Sequence, residues 1–176
     1  SSAASDVYKR QHYMWRSFAF PMFMQSPKPC AIGLVIMTSG FCLLNGWLQA
    51  RALCAYDDVG AINARFVVGV LMFACGWALN VSSDLKLMRL RRPGETGYKI
   101  PRGGMFEYVS GANFLGEIIE WAGFALAAGG TLPTCTFAVF TFANIGPRAV
   151  AHDKWYREKF GTDYPASRRA LIPCVW

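Results

Sequence analysis

The chain has 176 residues, of which 53% are hydrophobic, 15% aromatic and only 16% charged. Soluble domains carry roughly 25% charged residues, so a chain this short and apolar argues against a soluble globular domain and excludes a disordered or collagen-like chain. The formal charge of +7 fits such apolarity only if the basic residues are segregated into loops, which points to a membrane protein and away from a nucleic-acid binder.

Ser1 to Gln11 is a small, polar stretch that does not begin with Met and shows no signal-peptide pattern. It is expected to be a non-native prefix, with the domain proper running over 12–176 and beginning midway through a helix. A helix crossing about 30 Å of hydrocarbon needs about 20 mostly apolar residues. His12 to Met24 is aromatic and apolar apart from Arg16 and reads as the end of a first helix. Pro29 to Ala50 and Phe66 to Ser83 carry no charge and read as the next two. From Tyr108 to Pro147 the only charges are Glu117 and Glu120, and Gly129-Gly130-Thr131-Leu132-Pro133 splits that stretch into two more helices. Backbone polar groups in lipid must be satisfied internally, so the expected fold is all-α: a polytopic bundle of about five transmembrane helices.

The basic residues then segregate. The connection from Asp84 to Met105, the tail from Arg148 onward and Lys28 together hold 13 of the 18 Lys and Arg. By the positive-inside rule that face, with the C-terminus, is cytosolic. The connection containing Asp57 and Asp58 lies opposite.

Several groups could carry chemistry. Glu117 and Glu120 stand three apart on one predicted helix and share a face. A carboxylate in mid-membrane normally faces a polar cavity or a partner. Ser110 to Gly116 opens the same helix with small residues that allow close approach, and Asn113 among them needs a polar partner. Asn80 and Asp84 end the helix before. Arg91, Arg92, Tyr98 and Arg102 follow, with glycines between them, and suit an anionic ligand, since guanidinium forks match phosphate oxygens. A basic cytosolic loop is equally what any membrane protein shows. Neither dinucleotide-fold nor P-loop glycine patterns occur. Arg148, His152 and Tyr156 fall at i, i+4 and i+8, a donor-rich stripe on the continuation of the last helix. Tyr13 places a phenol in an aromatic helix, where a buried hydroxyl seeks a partner. The six cysteines are scattered and read as small buried hydrophobes. Two histidines, His12 and His152, are too few for a clustered di-iron site and leave only paired haem ligation open.

Taken together, Leu90-Arg-Arg-Pro-Gly-Glu95, the run from Tyr98-Lys-Ile-Pro-Arg-Gly-Gly to Gly116-Glu-Ile-Ile-Glu-Trp121, and the ending Tyr164-Pro-Ala-Ser-Arg-Arg-Ala-Leu-Ile-Pro173 closely resemble the steroid 5α-reductase family (3-oxo-5α-steroid 4-dehydrogenases). The resemblance covers His12 to Trp176 and implies the C-terminal five helices of a seven-helix membrane reductase, a fragment expected to be inactive alone. It implies NADPH as hydride donor, a Δ4-3-oxosteroid or another lipid enone as acceptor, membrane lipids as surroundings, no metal and no nucleic acid. The location implied is the endoplasmic reticulum. By the same resemblance Asn80, Asp84, Arg91, Tyr98, Asn113, Arg148, His152 and Tyr156 hold the cofactor. Glu117, Trp121, Phe41, Phe137 and Phe140 line the substrate site, and Tyr13 polarises the ketone. Three features depart from the family pattern: Lys99, the arginine-poor stretch Gln25 to Lys28, and Asn144, where an aromatic is expected. The last bears on substrate identity. The rival readings are a related enoyl or polyprenol reductase, a membrane methyltransferase, whose Arg-His-Pro-x-Tyr motif is missing here, and a non-catalytic sterol-binding protein.

Overall fold

The computed structural model describes residues 31–55, 62–90 and 97–175. The expectations for the 1–11 prefix, the first helix with Tyr13, Asp57 and Asp58, and Arg91 lie outside the described residues. The architecture is an all-helical bundle built from α1 (Ile32–Ala55), α2 (Ala64–Arg89), α3 (Ala112–Ala127) and α4 (Leu132–Phe160). Among the described residues the extended pairing is a single bridge, between Val109 and Arg169.

The chain order of these helices follows from the uncharged runs. α1 is apolar all round and leaves large side chains uncovered, with Ile32 78% and Leu43 76% exposed. In water such a surface is untenable; in a bilayer the lipid covers it. α1 and α2 are each long and apolar enough to cross a membrane. α3 has 16 residues and carries both glutamates. α4 has 29 and continues unbroken through Pro147 into the charged tail, spanning about 43 Å, more than the hydrocarbon core.

The ends differ from the charge-based boundaries. The Asn63 side chain caps α2 by accepting from the Phe66 amide at 2.9 Å. The helix then runs past Ser83 to Arg89, because Asp84, 1% exposed, still packs on α3. Lys86 and Arg89 lie in its last turn, where cations favour the helix dipole. α3 starts at Ala112 rather than Ser110: Ser110 and Gly111 are held outside it by amide bonds to the Arg169 and Ala170 carbonyls, at 2.8 and 3.0 Å. It ends in Gly129 and Gly130, whose φ values of 93° and 65° close the turn, with the Gly130 amide reaching back to the Ala125 carbonyl at 2.8 Å.

The tightest contact is the antiparallel seam between α2 and α3. A Cβ added to Gly76 would stand 2.3 Å from the Glu120 amide nitrogen, and one on Gly116 2.5 Å from that of Asn80. One turn-pair further along, the same holds for Gly69 against Ala127 and Gly123 against Phe73, each at 2.4 Å. Glycine thus lets two backbones touch, as small residues do in membrane helix pairs. Beside the seam Phe73, Trp121, Phe124, Ala128 and Phe137 form the apolar core.

The five described cysteines are not the buried hydrophobes expected. Cys42 is half-buried, and Cys54, Cys75, Cys135 and Cys174 are exposed. An apolar run in a membrane helix need not face protein, and lipid serves equally well.

At one end of the bundle Gln49 donates to the Pro133 carbonyl (2.9 Å) and Arg65 to that of Gly129 (3.0 Å). At the other, Tyr108 to Gly111 pairs with Arg169 and Ala170. Lys86, Arg89, Lys99, Arg102 and the basic residues from Arg148 onward gather toward that second end, while Arg51 and Arg65 lie toward the first.

Candidate active site

Between α1, α3 and α4 opens a cavity of about 530 Å³. Phe41 of α1, Glu117 and Trp121 of α3, and Phe137, Phe140, Asn144 and Arg148 of α4 line it. The five residues named for substrate contact thus border one space. Residues 137, 140, 144 and 148 recur at helical spacing, so one face of α4 forms a wall graded from aromatic to cationic. The Phe41 and Phe140 rings stack at 5.0 Å. Trp121, 2% exposed, forms the floor, held edge-on against Phe137 at 4.7 Å and Phe73 at 6.4 Å. Beyond the stacked pair a second apolar recess of about 340 Å³ continues toward Leu48 and Pro133.

The two glutamates part company. Glu117 lines the cavity, whereas Glu120 is 0% exposed and sits in the seam, its backbone against Gly76. Three residues along a helix fall about 60° short of a full turn, enough here to put one carboxylate on the cavity and the other against α2.

The polar residues named for the cofactor fall into two groups. Asn80 donates to the Asn113 carbonyl at 2.9 Å, and the Asn113 amide reaches an Asp84 carboxylate oxygen at 3.3 Å. Asn80 and Asp84 are each 1% exposed, so they orient the start of α3, and Asn113, half-buried, is the group that faces outward. The second group is on α4. His152 lies against the ring of Phe114, at 5.4 Å, next in sequence to Asn113. Burial, then the positive charge of Arg148 one turn away, hold its imidazole below the ordinary value, which favours the neutral form. Arg148 has no carboxylate partner among the described residues. Tyr156 stacks on Tyr164 at 5.5 Å with ring planes 9° apart. Tyr98 packs edge-on against Trp155 at 4.8 Å, with the Lys159 ammonium 4.6 Å above its ring, and so belongs to the neighbouring face of α4.

A network the sequence did not signal ties these parts together. Asp153 accepts from the hydroxyls of Ser110 and Tyr164 and pairs with the Arg157 guanidinium at 2.7 Å. Arg157 also donates to the Arg168 carbonyl. Burial lifts the Tyr164 phenol above its usual value, opposed by the Ser110 hydrogen bond. One carboxylate thereby links the entrance of α3, the polar stretch of α4 and the C-terminal segment. Ser110 and Tyr164 are 43 and 11 residues from it in sequence, and no local pattern marks such a meeting.

Comparison with known proteins gives concordant results. The sequence profile described as 3-oxo-5-alpha-steroid 4-dehydrogenase matches residues 28–176. The chain is similar to 3-oxo-5-alpha-steroid 4-dehydrogenase 1 of Bos taurus, 46% identical over 165 residues that make up 92% of this chain and 63% of that protein. It is 44% identical to the Homo sapiens protein of the same name over 94% of this chain and 64% of the relative. Against 3-oxo-5-alpha-steroid 4-dehydrogenase 2 of Rattus norvegicus the identity is 45%, over 94% and 65%. The chain therefore spans slightly under two thirds of the length of these relatives.

Proposed function

The chain belongs to the 3-oxo-5-alpha-steroid 4-dehydrogenase family, and from that premise we propose that it forms the cofactor- and substrate-holding part of a membrane reductase that uses NADPH to reduce the C4–C5 double bond of a 3-oxo-Δ4-steroid. The observation that carries this reading is a cavity that joins an aromatic wall (Phe41, Phe137, Phe140, Trp121) to Glu117 and to Arg148, which has no carboxylate partner among the described residues.

The donor set suits NADPH. Arg148 offers a guanidinium fork for phosphate oxygens. His152, Tyr156 and Asn113 bring neutral hydrogen-bonding groups for amide and hydroxyl, and Asn80 and Asp84 position Asn113. Arg91 and Tyr98 extend the same set by family resemblance. When bound, the cofactor supplies a hydride for the enone β-carbon. Negative charge then gathers on the carbonyl oxygen, and Tyr13 is assigned the hydrogen bond that stabilises it; preorganised donors in a dry site are most effective against developing charge. The aromatic wall keeps water from that site and holds the apolar rings. Orientation of the basic end toward the cytosol of the endoplasmic reticulum follows from the positive-inside rule. In sealed microsomes a cysteine replacing Lys154 should label with an impermeant reagent from outside and one replacing Arg51 should not; the reverse pattern refutes that orientation.

The direct test is an NADPH titration of the full-length protein and its Arg148→Ala variant. Loss of a charge-assisted hydrogen bond costs about 1.5–3 kcal/mol, so the Kd should rise roughly 10- to 150-fold. An unchanged Kd in folded protein removes Arg148 from the cofactor site. The same titration against pH reads His152. Its folded, ligand-free pKa lies below about 6.5, and a bound phosphate raises it, so the complex holds more protons than the free protein. Affinity should therefore increase as pH falls, levelling off below the free value. His152→Gln should remove that part of the pH dependence.

A further inference from the structure

Asp153 adjoins the supports of three residues of the proposed cofactor set. Its carboxylate accepts from the Ser110 hydroxyl, and Ser110 stands three residues before Asn113 at the entrance to α3. It accepts from the Tyr164 hydroxyl at 3.2 Å, and the Tyr164 ring stacks on that of Tyr156. On α4 it follows His152, whose ring lies against Phe114 at the start of α3. Arg157 closes the group, pairing with Asp153 at 2.7 Å and reaching the Arg168 carbonyl. The packing here leaves little slack. A Cβ added to Gly111 would stand 3.1 Å from that of Ala149 and 3.2 Å from the Ala170 carbonyl oxygen.

The Asp153 side chain is only 14% exposed. A carboxylate buried to that degree needs pairing and hydrogen bonds, and the chain's own hydroxyls and guanidinium supply both. A carboxylate only accepts, so it offers nothing to ionised phosphate oxygens; its effect passes through the groups it holds. We propose that Asp153 is a positioning residue of the cofactor site: through Ser110 and Tyr164 it sets where Asn113 and Tyr156 stand, without itself touching the dinucleotide. This rests on the reductase reading above and adds to its site the tie that brings α3, α4 and the C-terminal segment into register.

The test compares full-length protein in nanodiscs with its Asp153→Ala variant. NADPH Kd and steroid Kd are measured by titration. Hydrogen exchange is followed over 108–113 and 164–171, with 69–80 of the α2–α3 seam as internal control. The NADPH Kd should rise about 5- to 50-fold, the range for removing one member of a shared hydrogen-bond network. Exchange over 108–113 should quicken about 10-fold while the seam is unmoved, and steroid Kd should stay within about twofold. Faster exchange with an unmoved NADPH Kd makes Asp153 a structural tie alone and overturns the proposal. So does a raised Kd with unmoved exchange, which would make Asp153 a direct contact, and so does an equal loss for NADPH and steroid. Should Asp153→Ala not be recovered folded, Tyr164→Phe removes one hydroxyl, keeps the ring on Tyr156 and is judged by the same outcomes, with a rise of about 3- to 10-fold expected. An unaltered protein that binds no NADPH sinks the reductase reading; NADPH binding indifferent to these substitutions sinks this proposal alone.

Discussion

Gly76→Val should leave no correctly folded protein, whereas Gly46→Val should leave folding intact. The β-carbon at 76 would stand 2.3 Å from a backbone nitrogen of α3 and 2.7 Å from the Gly116 carbonyl oxygen. Neither can yield as a flexible side chain would, so the two helices must separate. Overpacking of a well-filled interface costs about 1–3 kcal/mol, occasionally more, and with backbone on both sides a value at or above the top of that range is expected. The damage also spreads to the site. Asn80 lies one turn beyond Gly76, and its bond to the Asn113 carbonyl holds only while the seam is closed. At Gly46 nothing among the described residues lies within 4 Å of the added carbon, so the valine there displaces none of them. Monodisperse recovery from detergent extracts separates the two outcomes. Equal recovery of both variants would show that the seam is not the contact that closes the bundle.

That seam also shows what the sequence could and could not disclose. Uncharged runs located α1 to α4 because the bilayer punishes charge wherever a helix crosses it. The boundaries drifted where helix and membrane stop coinciding: α2 continues to Arg89 because Asp84 is buried against protein, while Ser110 and Gly111 are drawn out of α3 by the C-terminal segment. Gly116 stands among small neighbours, but the seam is marked by the matching seven-residue spacing of Gly69 with Gly76 and of Gly116 with Gly123. That spacing was the available signal: it returns nearly to the same helix face and predicts a pair of glycine-lined helices. The separation of Glu117 from Glu120 was beyond periodicity alone, because both lie on the helix side turned toward protein and only packing decides which meets the cavity. Exposure of the cysteines was likewise hidden, since apolar character does not distinguish lipid from core.

Tyr13→Phe in the full-length protein should lower kcat by on the order of 10²–10³-fold, the usual cost of removing one donor to a developing oxyanion, while leaving the NADPH Kd unchanged. The substitution removes a single hydroxyl and keeps the ring, so packing in its aromatic segment is retained. On the proposed reductase reading the donor matters most as hydride arrives and charge moves to the carbonyl oxygen, while in the ground state it holds a neutral ketone, so steroid affinity should weaken far less than turnover. On the same reading Arg148→Ala should give the opposite signature, a raised NADPH Kd with turnover recoverable at saturating cofactor. Crossing the two substitutions therefore separates holding the cofactor from stabilising charge. Multiplying effects on kcat/KM are the result expected if the two groups act independently. An unchanged rate for Tyr13→Phe would remove Tyr13 from the chemistry. The carbonyl-polarising group would then have to be sought elsewhere in the protein.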